Sequence, residues 1–149
     1  LSIKALCNRE LVTVGRDDTV FKAAELMRQN HVGDVLVVEK RLNTTIPLGI
    51  VTDRDIVVEV VAPGLDPKVM TVGDIMLPHL STVKEDAEVF DAIRLMTGKG
   101  IRRLPVTDKY GSLLGILTLD DLLMMMAKES FGIAMLLNNE RKNEYIKRR

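Results

Sequence analysis

Two short stretches of this sequence carry side chains at a spacing that could do chemistry. They read Gly49-Ile50-Val51-Thr52-Asp53-Arg54-Asp55 and Gly115-Ile116-Leu117-Thr118-Leu119-Asp120-Asp121, a shared pattern G-I-x-T-x-x-D. Each follows an apolar run and opens a helical pattern. Thr and Asp three positions apart share one face of a first helical turn. Two uses fit. In a capping box, both side chains satisfy orphan backbone N–H groups at the helix start. Alternatively, the helix N-terminus attracts an anion such as phosphate, and the carboxylate accepts hydrogen bonds from a pair of ribose hydroxyls. The glycine permits close backbone approach. Capping accounts for Thr and Asp but leaves the recurrent glycine unexplained.

Other reactive residues assemble into nothing comparable. Asp53 and Asp55 alone are too few oxygen ligands for a hard cation, and Asp53 reads as an exposed first-turn acid. His31 and His79 have no second ligand at metal spacing and read as surface or loop residues. Cys7 has no evident His partner and reads as a small buried side chain. Thr97-Gly98-Lys99-Gly100 lacks the spacing of a phosphate-binding P-loop. No nucleophile, base and oxyanion donor come together. The expectation is a protein with no catalytic residues, no metal and no catalytic cofactor.

The elements that must position these residues are themselves repeated. Shifted by 69 positions, Leu11, Thr13, Val14, Asp17, Val20, Phe21, Ala23, Leu26, Met27 and Val37 fall on Leu80, Thr82, Val83, Asp86, Val89, Phe90, Ala92, Leu95, Met96 and Val106. Past Val38 the shift becomes 66, and Gly49, Ile50, Thr52 and Asp55 fall on Gly115, Ile116, Thr118 and Asp121. Ordered matches with one gap in a loop point to duplication. Each copy reads as a short strand (Leu11 to Val14; Leu80 to Val83), then an Asp cap (Asp17 or Asp18; Asp86) and a helix. Two strands follow, Val35 to Val38 with Leu48 to Thr52, and Leu104 to Thr107 with Leu113 to Thr118. A second helix starts at the TxxD element, and in the first copy it stops before Pro63-Gly64. The expected fold is α+β, with two β-α-β-β-α repeats packed together, because each alone would be marginal. The repeats are placed at 1–66 and 67–128, followed by a helical tail at 129–149.

Composition narrows the classes. Hydrophobic residues are 46% and aromatics only 3%, so the core must be aliphatic. Lys plus Arg equals Asp plus Glu at 21 each, which argues against a broad nucleic-acid footprint. The single cysteine excludes an intrachain disulfide. No apolar run approaches the roughly 20 residues of a membrane span, and the start shows no cleavable signal pattern. The expectation is a cytoplasmic protein with no membrane partner. Met124-Met125-Met126 suits core packing or a dimer seam. In the tail, Phe131, Ile133, Met135, Leu136 and Leu137 precede a polar, basic end.

The two copies resemble the cystathionine-β-synthase (CBS) domain, and the tandem resembles a CBS pair, or Bateman module. The residues that carry the likeness are Leu11-Val12-Thr13-Val14 and Leu80-Ser81-Thr82-Val83, Asp74-Ile75-Met76, Arg103-Leu104-Pro105-Val106 and both GIxTxxD elements, over about Ile3 to Ala127. The first copy departs in having Cys7 and Asn8 where the second has Met76 and Leu77, and Leu36 where it has Pro105. The resemblance implies pseudo-two-fold packing of the repeats and a non-catalytic regulatory module. Such a module would hold an adenosine-containing ligand (AMP, ADP, ATP, NAD or S-adenosylmethionine) in crossed clefts. It implies one cleft of Thr52 and Asp55, with Arg54 between them, facing Thr82, Arg102, Arg103, Leu104 and Pro105. The other would join Thr118 and Asp121 to Thr13, Gly33, Asp34 and Val35. Arginines crowd the first and carboxylates the second, so phosphate is expected in the first. The resemblance also implies a homodimer and an unidentified regulated protein. The alternative is an interaction module that dimerises with empty clefts.

Overall fold

The computed structural model describes residues 2–148. Its elements in order are α1 (Ile3–Leu6), β1 (Thr13–Gly15), α2 (Val20–Asn30), β2 (Asp34–Lys40), β3 (Thr45–Thr52) and α3 (Asp53–Ile56), which continues as a π-helical turn (Val57–Val61). Then come α4 (Val72–Ile75), β4 (Val83–Lys84), α5 (Val89–Lys99), β5 (Arg103–Thr107), β6 (Leu113–Thr118) and α6 (Leu119–Arg148). The chain divides after Leu117 into two compact units. The first holds both sheets, and the second is essentially helix α6.

Each repeat forms a three-stranded sheet, ordered β1-β2-β3 and β4-β5-β6. The duplication persists in the register. Val14 pairs with Val37 in parallel, and Val83 pairs with Val106, each residue 69 positions from its counterpart. In the antiparallel β2–β3 pair a bulge skips Leu48, so Val37 opposes Gly49 and Val38 opposes Pro47. Pro47 cannot donate to the ladder, and a bulge accommodates it.

Strand β2 is buried on both faces. Val35 and Val37 join Val14, Ala23, Met27, Val51 and Val72 in one apolar cluster. Leu36 and Val38 meet Ile116 in another, flanked by Leu11, Ile50 and Leu113. Val72 and Ile116 belong to the second repeat, so both clusters knit the halves together. The leaders of the repeats do the same by crossing over. Asn8, ahead of the first repeat's strand β1, exchanges two backbone hydrogen bonds of 2.9 Å with Ile116. On the opposite side, Val72 N donates to Asp18 O and Gly73 N to Arg16 O, each at 2.9 Å. Each repeat's leader thus contacts the other repeat, in a pseudo-two-fold arrangement.

The helix starts depart from expectation at their caps. Thr19, not Asp17 or Asp18, caps α2, its hydroxyl accepting from Lys22 N at 3.1 Å. Asp18 instead folds back to accept from Gly15 N at 2.7 Å. That backbone hydrogen bond, aided by Lys22, holds its carboxyl below the ordinary carboxylate value. In the second copy the cap is Glu88, two residues beyond Asp86. Helix α6 runs unbroken across position 128, where the repeat is expected to give way to the tail. Phe131, Ile133, Met135, Leu136 and Leu137 are all exposed on it.

Candidate functional site

Both Thr–Asp pairs form capping boxes. Thr52 Oγ1 accepts from Asp55 N at 3.1 Å, while Asp55 Oδ2 accepts from Thr52 N at 2.8 Å. Thr118 and Asp121 repeat this at 3.1 and 3.0 Å. In each carboxylate, Oδ1 makes no hydrogen bond among the described residues, so one acceptor oxygen per motif remains for a hydroxyl. Thr71 and Asp74 make a third box in the leader of the second repeat, and its backbone hydrogen bond lowers the Asp74 carboxyl's pKa.

The recurrent glycines have a separate cause. A Cβ on Gly115 would lie 2.6 Å from Asn8 O and 2.9 Å from Cys7 Sγ. A Cβ on Gly49 would meet Met76 at 3.1 Å. Cys7 and Met76 are the same position of the repeat. Each GIxTxxD glycine therefore marks where the other repeat's leader crosses its strand.

A cavity of about 140 Å³ opens beside the first motif, lined by Gly49, Ile50, Leu77, His79, Leu80, Ser81, Ile101 and Arg103. Its walls are the β3 strand that ends in Thr52 and the leaders of β4 and β5. Its lining is mostly aliphatic, with His79, Ser81 and Arg103 as the polar groups. Of the residues expected in this cleft, only Arg103 lines the cavity. Thr52 and Asp55 follow its β3 wall and Thr82 follows Ser81. Arg54, Thr82 and Arg102 are exposed, whereas Leu104 and Pro105 are buried in β5. Their side chains belong to the core. Leu77, His79, Ser81 and Ile101 were not legible as site residues, because each lies outside the repeated matches.

The pseudo-equivalent place is built differently. Asn8 and Ile116, which correspond to Leu77 and Ile50, are zipped together by their paired backbone hydrogen bonds. Proline follows Leu77 and no such bridge occurs there. Of the other cleft's expected residues within this unit, Thr13, Gly33 and Asp34 are partly buried and Val35 is fully buried. Gly33 O accepts from Asp53 N at 2.9 Å, which ties this loop to the first motif.

Asp34 and Arg103 are expected in opposite clefts, yet Arg103 Nε lies 2.6 Å from Asp34 Oδ2 as an ion pair. They are the same position in the two repeats, so the pair sits at the pseudo-two-fold axis. A larger concavity of about 550 Å³ follows α2 past Phe21, Arg28 and His31, and contains none of the expected residues. Among the described residues, no group of three or more His, Cys, Asp or Glu is placed to hold a metal ion. No helix is long and apolar enough to cross a membrane.

A duplicated sheet-and-helix unit with exchanged leaders and a capped TxxD turn in each copy defines a tandem-repeat α+β module. The CBS domain model matches residues 3–62 and 72–128, and the chain belongs to the CBS-domain family. It is 36% identical over 135 residues to the CBS domain-containing protein YhcV of Bacillus subtilis, covering 90% of this chain and 92% of that one. It is 38% identical over 125 residues to the protein MK0525 of Methanopyrus kandleri, covering 84% of this chain and 62% of that relative's length. Among solved structures, the CBS-domain-containing protein ATU1752 of Agrobacterium tumefaciens superposes with a TM-score of 0.70 at 27% identity. That match covers 85% of this chain and 99% of the other.

Proposed function

We propose that this chain is a non-catalytic regulatory module that binds an adenine nucleotide of the AMP, ADP, ATP or NAD type, at the cavity beside Thr52 and Asp55. The observation that carries this is the cavity itself. It is aliphatic, edged by one guanidinium, and walled by the strand that runs on into Thr52 and Asp55, whose carboxylate keeps one acceptor oxygen. At about 140 Å³ it is smaller than the roughly 300–1,000 Å³ of pockets that enclose a whole ligand. That size suits a base held between Ile50, Leu80 and Ile101. Ribose would then lie toward Asp55 and the phosphates toward Arg103 and Arg54. Binding regulates by the difference in the ligand's affinity for two states of the module or its partner.

Calorimetric titration with AMP, ATP, NAD and adenosine tests the reading. The expected result is one site per chain, weakened about ten-fold or more by Asp55→Asn and little changed by Asp121→Asn. The asparagine keeps an oxygen for the cap, so folding is preserved. No binding at millimolar nucleotide would leave the family's interaction role, with empty clefts, as the better account. Binding lost in Asp121→Asn alone would move the site to the other repeat.

A further inference from the structure

Resting on that reading of the cavity, we infer that Asp34 is a positioning residue for the nucleotide site, although it does not itself line the cavity. Three observations meet in Arg103. It lines the cavity, it is only partly exposed at 39%, and its contact with Asp34 is made at the Nε edge. A guanidinium held by that edge keeps its two terminal amino groups for another partner, and these make no hydrogen bond or ion pair among the described residues. A planar fork with a fixed edge loses less freedom when it takes an anionic oxygen pair. Asp34 is itself anchored at the first residue of β2, opposite Thr52 in the β2–β3 register. The strand that carries the Thr52 motif therefore also sets Asp34. One consequence is chemical: the site prefers a ligand bearing phosphate over the bare nucleoside, and that preference depends on Asp34 rather than on Arg103 alone.

The test compares AMP and adenosine on the full chain by calorimetry, for wild type, Asp34→Ala and Arg103→Lys. Wild type is expected to bind AMP about ten-fold or more tighter than adenosine. Asp34→Ala should lose most of that preference while adenosine affinity shifts less than about two-fold. Arg103→Lys, which keeps the charge but has no Nε edge to hold, should behave the same way. Tighter AMP binding by Asp34→Ala would show that the carboxylate competes with phosphate, and would overturn the inference. Parallel loss for AMP and adenosine with a lowered melting temperature would overturn it too, as a merely structural role. Wild type that binds both ligands equally sinks this inference alone. Wild type that binds neither sinks the site reading beneath it.

Discussion

At the scale of single residues, the G-I-x-T-x-x-D motif separates into two structural tasks and one spare capacity. Thr and Asp close the helix start, and Gly clears a path for a crossing segment. The spare Oδ1 on each Asp is what a ligand could use. The two glycines nevertheless differ in what they face. Gly115 is backed by backbone, the Asn8 carbonyl, whereas Gly49 is backed by the flexible Met76 side chain. Gly115→Ala must therefore push apart the Asn8–Ile116 bridge and is expected to cost about 1–3 kcal/mol. Gly49→Ala is expected to cost about 1 kcal/mol or less, because methionine re-seats readily. Urea unfolding of the two variants checks the order; equal losses would mean that Asn8 yields as easily as Met76.

At the scale of elements, the repeat made the strands and principal helices legible, since aliphatic periodicity and two shifts, 69 and then 66, pointed to them. It did not fix the caps. Asp17, Asp18 and Asp86 are plausible caps by type, but Thr19 and Glu88 take the role. Asp18 is engaged by Gly15, a contact set by the turn and not by the helix. The cavity was only half legible. Matching positions point to the strands that wall it, while Leu77, His79 and Ile101 line it from equivalent positions whose residue types differ between the copies. Nor does a sequence shift reveal which equivalent positions touch, so Asp34 and Arg103 were separated although they pair. The helices after each motif carry unpartnered apolar side chains. Val57, Val58 and Val61 are exposed after Thr52, as are Leu123, Met124 and Met126 after Thr118. Exposed apolar runs of this kind are candidate association surface. We therefore expect a homodimer through these helices, with light scattering giving twice the 16.6 kDa chain mass at micromolar concentration. Val57→Glu with Met124→Glu should return it to monomer. A wild-type monomer at high micromolar concentration would refute the seam.

At the scale of the whole molecule, the Asp34–Arg103 contact says how two halves of common descent tell each other apart. Residues that meet on a two-fold axis are copies of one another when the halves are identical. An ancestral pair with the same charge at this place would have faced itself across the axis and repelled. Opposite charges convert that self-facing position into a directional match. Two first halves would set Asp34 against Asp34, and two second halves would set Arg103 against Arg103. Only unlike halves find attraction, so we expect the pair to favour intrachain assembly over exchange with a neighbouring chain. Charge reversal makes this measurable. Asp34→Arg alone should destabilise the fold and broaden its assembly states in native mass spectrometry. Asp34→Arg with Arg103→Asp should restore a single species, because handedness of the match is indifferent to which half bears which sign.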